Sequence, residues 1–198
     1  MAKCCFKLNE KLFNFVEPTP ETTYNFDIEM DWSIVLDSIG NPYPVTDEAT
    51  LEQWLTNGMD GQAAIQNDFS NIVITDFLMI GNRIQCNLVA DGYTFTLIEC
   101  QVTNINKIGN VNGLGQLSLG FNANINIGNS LILPNSLSVL ELNNNQMNAA
   151  SYTLIEDWAN AQPIFASTCN VYFSGNIDSA SGTNLETILT GKNCTVMT

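Results

Sequence analysis

The sequence predicts an α+β protein in which a β-rich region with antiparallel strands and one helix precedes a short stack of repeats. Two observations support this prediction. The first half alternates apolar and polar residues with a period of two and contains tight-turn dipeptides. The second half repeats a pattern of leucine and asparagine. Three regions are therefore expected: an N-terminal arm (1–20), a β-rich anchoring region (21–110) and a repeat region (111–198).

The first predicted element is a half-buried strand between Tyr24 and Leu36, because apolar residues occupy every second position there. The opposite face carries three carboxylates, Asp27, Glu29 and Asp31. Close carboxylates are typical calcium ligands. They are more typical of the solvated face of an amphipathic strand, which is the preferred interpretation here.

A helix and further strands follow. Thr46 is expected to cap a helix from about Asp47 to Leu55. The turn dipeptides Gly81-Asn82 and Asp91-Gly92 are expected to close hairpins. The predicted strands of these hairpins are Asn71–Ile80, Arg83–Val89 and Tyr93–Val102.

The second half repeats leucine at the first, fourth and sixth places and asparagine at the ninth. The asparagines Asn122, Asn145 and Asn176 lie 23 and 31 positions apart, and the longer interval indicates an insertion. The two full copies and the degenerate third copy contain Leu114, Leu117, Leu119 and Asn122; Leu137, Leu140, Leu142 and Asn145; and Val171, Phe173 and Asn176.

This spacing has a physical basis. The fourth and sixth side chains point inward from a short strand, while the asparagine amide bonds the main chain at the following turn. The insertion is predicted to be a helix that Ser151 caps and Gln162-Pro163 ends. The capping box from Thr183 to Glu186 predicts a second helix, and a last strand over Cys194–Met197 is expected to close the stack.

The run from Leu133 to Met147 resembles bacterial leucine-rich repeats that carry a Leu-Pro-x-Ser-Leu lead-in. The ending, from Val171 to Leu189, resembles a repeat terminus of gut bacteria and of the virion proteins of their phages, including crAss-like phages. The resemblance covers about residues 111–198, and the first hundred residues resemble no family. It implies a non-catalytic role in recognition or structure.

Composition excludes several function classes. The formal charge of −14, with six basic residues, opposes binding to nucleic acid or to an anionic membrane surface. The absence of histidine excludes histidine-based catalysis and histidine-ligated zinc. No cofactor and no metal are expected. The six cysteines lack metal or redox spacing, and Cys86, Cys100, Cys169 and Cys194 are expected to be buried apolar residues.

Two groups of residues are candidate partner contacts. The first comprises Lys3, Lys7 and Lys11 of the arm, and the second is Tyr172, which the strand alternation directs outward. Glu156 and Asp157 are a candidate acidic pair for glycoside hydrolysis. Adjacent positions on a helix point in different directions, which opposes that role.

The expected function is that of a non-enzymatic phage structural protein: a head-fibre, capsid-decorating or tail-attached component that contacts other virion proteins or itself. The N-terminus lacks the apolar core of a secretory signal, so synthesis in the host cytoplasm and release within a particle are expected. One alternative is a bacterial protein-binding module without a virion role, retained in the cytoplasm. The other is a carboxylate-dependent polysaccharide hydrolase.

Overall fold

The computed structural model describes residues 23–63, 65–123 and 125–198, which form two sheets around one hydrophobic core. The expected mixture of helices and strands, with an antiparallel sheet, is confirmed. The helices are α1 (Glu48–Asn57), α2 (Ala149–Leu154), α3 (Glu156–Ala161) and α4 (Asn184–Gly191). The strands are β1 (Phe26–Glu29), β2 (Ser70–Ile80), β3 (Arg83–Asp91), β4 (Thr94–Thr96), β5 (Asn104–Ile108), β6 (Asn110–Asn112), β7 (Gln116–Ser118), β8 (Asn126–Ile127), β9 (Val139–Glu141), β10 (Cys169–Tyr172) and β11 (Cys194–Met197).

The first sheet has the order β2-β3-β1-β5-β8, with β6 beside β3. Its β2–β3 hairpin turns at Gly81-Asn82 as predicted. The predicted strand to Leu36 is wrong beyond Glu29, where β1 ends. Asp31 accepts the main-chain N–H of Ser33 at 3.0 Å, and this local turn replaces the strand ladder.

Helix α1 covers one end of the core. Its N-cap is Asp47 rather than the predicted Thr46, and Asp47 forms a capping box with Thr50. Trp54 is fully buried, and its ring centroid lies 5.7 Å from that of Trp32 and 6.1 Å from that of Phe95. The helix therefore joins the segment that follows β1 to β4 through aromatic packing.

The second sheet is parallel throughout and keeps the chain order β4-β7-β9-β10-β11. The predicted repeat region holds its last four strands, and β4 precedes that region. One inward side chain from each strand shares a register, and successive members lie 22, 23, 31 and 25 positions apart. These residues are Phe95, Leu117, Leu140, Val171 and Val196.

The predicted hairpin at Asp91-Gly92 is wrong, because β4 leaves the first sheet and pairs with β7. The main-chain N–H groups of Tyr93 and Thr94 donate to one carboxylate oxygen of Asp68, at 2.9 and 2.8 Å. Asp68 thereby turns the chain toward the second sheet.

The insertion between β9 and β10 contains two short helices instead of one. Asn148 is the N-cap of α2, and the predicted cap Ser151 lies at the third helical position of the capping box. Ile155, with φ −98° and ψ 5°, separates α2 from α3. The predicted α4 and β11 are confirmed, with Thr183 as the N-cap of α4. None of these helices in the described residues is long and apolar enough to cross a membrane.

Candidate interaction surface

A column of asparagines fixes the turn that follows each parallel strand. The side-chain oxygen of Asn145 accepts the main-chain N–H of Asn122 at 2.7 Å, and that of Asn176 accepts the N–H of Asn145 at 2.8 Å. The amide nitrogen of Asn122 donates to the carbonyls of Leu97, Leu119 and Gly120. Each strand and the turn after it, together called a coil, is thus bonded to the next coil through a buried or half-buried asparagine.

The residue before each of the asparagines Asn122, Asn145 and Asn176 adopts a left-handed backbone, and so does Glu99, which precedes Cys100 at the equivalent place after β4. The φ angles are +54° at Glu99, +58° at Phe121, +55° at Asn144 and +72° at Gly175. Asparagine and glycine accept this conformation readily, whereas a bulky aromatic is strained there. Glu99 and Phe121 both depart from this preference, and Phe121 is the bulkier of the two, with a side chain that is 42% exposed.

The leucine framework lies inside the molecule. Leu114, Leu117, Leu119, Leu137, Leu140 and Leu142 are all buried, and so are Val171 and Phe173 of the third copy. Because side chains alternate along a strand, the residues between them face outward.

We call the outward side chains of β9, β10 and β11 the strand face. Glu141, Tyr172 and Met197 share one register across the three strands, and Val139, Asn170 and Thr195 share the other. Glu141 is the only ionisable carboxylate among these six residues, and none is basic. At β4 the same side of the sheet is closed, because the Thr96 hydroxyl donates to buried Asp60 at 3.1 Å.

The structure places Tyr172 on the strand face, where its ring is half-buried. Within the described residues its hydroxyl has no hydrogen-bond partner. The neighbouring Phe173 points into the core and packs against Tyr152, with ring centroids 5.5 Å apart. Lys3, Lys7 and Lys11 lie outside the described residues.

The described surface is strongly anionic. Its basic residues are Arg83, Lys107 and Lys192, and each is engaged internally. Arg83 forms a two-bond ion pair with Asp27, at 2.7 and 2.6 Å. The ammonium groups of Lys107 and Lys192 donate to main-chain carbonyls. A charged partner of this part of the chain would therefore need to be basic.

The three carboxylates of the predicted first strand do not converge. Asp27, with a side chain only 10% exposed, binds Arg83, while Glu29 accepts from the amide of Asn104 at 2.8 Å. Asp31 is occupied by its local turn. No group of three or more metal-ligating side chains occurs among the described residues. The expectation of a solvated face is wrong for Asp27, whose carboxylate is buried and accepts hydrogen bonds from Arg83, Gln85 and Asn106.

The two acids on α3 have different surroundings, because Glu156 is half-buried and Asp157 is exposed. Glu156 accepts from the amide of Asn184 at 2.7 Å, and Trp158 beside the pair is buried and donates to the carbonyl of Leu131. Glu156 thus serves the contact between α3 and the start of α4.

The four cysteines of the described residues are free and buried, as predicted. Burial raises the pKa of the Cys86 thiol to about 12, and burial also raises the pKa of the Cys100 thiol to about 12. Cys169 and Cys194 are register partners on adjacent strands. Their mutual hydrogen bond raises the pKa of Cys169 and lowers that of Cys194.

Sequence reasoning missed the first coil. Phe95, Leu97 and Cys100 occupy the fourth, sixth and ninth places of a copy that begins at Gly92, and all three side chains are buried. The ninth place accepts cysteine as well as asparagine in this template. Cys100 lies 22 positions before Asn122, and this interval is the sequence signal that identifies the coil containing β4.

An apolar groove lies away from the strand face. It is lined by β3 and β6 residues together with Leu114 and the segment 132–134. Two large apolar side chains on it are half exposed: Val89 at 51% and Ile132 at 54%.

No protein-family model, curated protein or solved structure matches this chain.

Proposed function

We propose that this chain is a non-enzymatic structural protein of a phage particle, which acts through protein–protein contacts made by its strand face. Head-fibre, capsid-decorating and tail-attached positions all fit this role. The virion assignment follows from the resemblance of residues 111–198 to repeat-bearing virion proteins. The mode of action follows from the surface itself.

The strand face carries the proposal. It presents one carboxylate among six outward side chains, on a chain whose formal charge is −14. Tyr172 offers a rigid ring and a hydroxyl that has no partner among the described residues, and tyrosine is enriched where protein interfaces bind most strongly. A charge-poor, partly apolar patch on an anionic protein is the surface that loses least by desolvation in a complex.

We further propose that the coils from β4 to β11 form a leucine-rich-repeat stack. The parallel sheet in chain order, the intervals of 22 and 23 positions and the bonded asparagines support it. The β4 end of the sheet is covered by α1 and by the contact between Thr96 and Asp60. This cover supports a stack that ends at β4 and leaves the strand face of β9, β10 and β11 exposed.

Particle fractionation tests the virion role. The protein should co-sediment with purified phage particles through a density gradient and remain bound in ~0.5 M salt. Recovery only from the free host cytoplasm, never with particles, would overturn the proposal.

A matched pair of substitutions tests the strand face. Met197→Glu adds a carboxylate to an apolar side chain that is 39% exposed on this face, and Leu154→Glu does the same at a site on α2 that is 78% exposed. We expect M197E to reduce incorporation into particles about tenfold, with L154E unchanged. Equal incorporation of both variants would contradict the assignment of this face.

The second candidate is a bacterial protein-binding module without a virion role, which the Leu-Pro-x-Ser-Leu lead-in favours equally. Genes for capsid and tail proteins beside this one would favour the first candidate. A chromosomal neighbourhood without phage genes would favour the second.

A polysaccharide hydrolase is the third candidate and belongs to another class. It would need Glu156 and Asp157 as its acid and base, yet Glu156 is bonded to Asn184. Loss of a measured glycosidase activity in Glu156→Gln, with retention in Glu186→Gln, would establish it.

A further inference from the structure

We propose that the apolar groove beside β3 and β6 is the binding site for a segment of this same chain, Leu12-Phe13-Asn14-Phe15-Val16, and that this segment binds within its own copy. The proposal is independent of the virion role. It rests on the way the first sheet is interrupted at Asn25, on the lining of the groove, and on the sequence that precedes Thr23.

The start of β1 is displaced from the sheet by β6. Phe26 lies opposite Cys86 of β3 and Ile108 of β5, so a backward continuation of β1 would pass beside Val89. That place is taken by β6, because Asn110 is the register partner of Val89. The residues before Asn25 therefore cannot continue the β1 ladder.

Asn25 marks the point of departure. Its side-chain oxygen accepts the main-chain N–H of Leu88 at 2.7 Å, its amide donates to the Leu88 carbonyl, and its carbonyl accepts from Gly109. Gly109, with φ +85°, turns the chain from β5 into β6 at the same point. Gly109 lines the groove, and Leu88 directly precedes Val89, which also lines it. The chain thus enters the described fold at the groove's edge.

The groove is apolar and has one ionisable group. Val89, Val111, Ile132 and Leu133 contribute apolar surface, while Asp91 is engaged by the amides of Asn71 and Asn112. Half-exposed valine and isoleucine side chains gain from burial by roughly 25 cal/mol per Å². An apolar occupant without charge is the chemistry that this lining favours.

The preceding sequence supplies such an occupant within reach. Residues 12–16 contain two phenylalanines, a leucine and a valine, with no charged residue. Phe13 and Phe15 are two positions apart, which places their rings on one face of an extended segment. Val16 and Thr23 are seven residue steps apart, and a chain of this length spans at most about 25 Å. A tethered segment this close to its site has an effective concentration in the millimolar range.

Hydrogen exchange on the full-length chain tests occupancy. The double variant Phe13→Asp, Phe15→Asp should raise exchange at least fivefold in peptides that cover residues 108–114 and 131–134. The matched control Asn9→Asp, Thr19→Asp adds the same charge on either side of the segment, outside residues 12–16, and should leave these peptides unchanged. Far-ultraviolet circular dichroism identifies any variant that fails to fold. Unchanged exchange in a folded F13D/F15D variant would overturn the proposal.

A photo-crosslinking residue in place of Phe13 tests the site in the otherwise native chain and does not depend on those variants. Cross-links should map to Val89 or to residues 132–134. A mixture of nitrogen-15-labelled and unlabelled protein then shows which copy contributes the segment. Cross-links within one isotopic species support the proposal. Cross-links between species would overturn binding within one copy and assign the groove to a second copy, and cross-links elsewhere would overturn the site itself.

Discussion

The asparagine column makes a sharp prediction about which coil is held most tightly. We consider Asn122→Ala and Asn145→Ala, which remove chemically identical side chains from equivalent places in adjacent coils. Asn122 is fully buried and Asn145 is 2% exposed, so differences in burial do not separate them. They differ in their bonds.

Asn122 satisfies more main-chain groups than Asn145 does. Its oxygen accepts the N–H of Val102, and its amide donates to Leu97, Leu119 and Gly120. Asn145 accepts one N–H, from Asn122, while its own amide nitrogen has no partner in the described residues. Asn122→Ala leaves three main-chain groups without a partner, namely the N–H of Val102 and the carbonyls of Leu97 and Leu119. The Gly120 carbonyl keeps a partner, because it also accepts from the N–H of Glu99. Asn145→Ala leaves one group without a partner, the N–H of Asn122.

Each buried main-chain group left unpaired costs about 1–3 kcal/mol. We therefore expect Asn122→Ala to lower the free energy of unfolding by about 3–5 kcal/mol, because water entering the vacated space recovers part of the loss. Asn145→Ala should lower it by about 1–2 kcal/mol on the same basis.

Urea titration followed by tryptophan fluorescence measures this difference. Trp32, Trp54 and Trp158 are all buried, so their emission reports the loss of the core. The slopes with denaturant should agree between the variants, which makes the extrapolated free energies comparable. Equal destabilisation, or a larger loss for Asn145→Ala, would refute the reasoning from the bond inventory.

Four further predictions follow from the described contacts. Arg83→Met leaves the carboxylate of Asp27 without its ion-pair partner. Because the guanidinium is 44% exposed, we expect the free energy of unfolding in a urea titration to fall by about 2 kcal/mol, and an unchanged value would contradict a stabilising role of the pair. Phe121→Asn relieves a left-handed aromatic and should raise the unfolding free energy by about 1 kcal/mol; an unchanged value would show that the ring offsets the strain. Cys86 and Cys100, with pKa values raised to about 12, should react with iodoacetamide at pH 8 only after unfolding, as mass spectrometry of folded and urea-treated protein will reveal. Mass photometry at micromolar concentration should find homo-oligomers, and a sole species at the monomer mass of 21.7 kDa would contradict this.

Much of the second sheet was predictable, because its signals are local and periodic. The buried places of Leu117 and Leu140 follow from the repeat template, and the helix that begins after Thr183 follows from its capping box. Both depend on residues within a few positions of one another. Local patterns of this kind predict the structure correctly where the rest of the fold favours the same local conformation.

The failures arose where distant contacts decide the structure. Asp91-Gly92 has the sequence of a hairpin turn, yet Asp68, more than twenty positions earlier, directs the chain into the other sheet. The pairing of Arg83 with Asp27 likewise joins residues 56 positions apart. Neither the sign of a residue's charge nor the alternation along a strand indicates which distant residue it will contact.

The candidate surface was only partly predictable. Alternation places Tyr172 outward, but its lateral neighbours Glu141 and Met197 depend on the register of three strands. The groove was not predictable, since its lining depends on the pairing of β6 with β3 and on the distant segment 132–134. A sequence pattern describes each strand but not the order in which strands compete for one edge.

The unequal coil lengths have a consequence for how such a protein changes over generations. The interval that contains α2 and α3 is longer than its predecessor by eight positions, yet Val139 and Asn170 remain register partners. Insertions are therefore absorbed on the helical side, where α3 packs on α4, without shifting the strand face by one residue. A lineage is free to lengthen, shorten or decorate the helical side while the spacing of contacts on the other side is inherited intact.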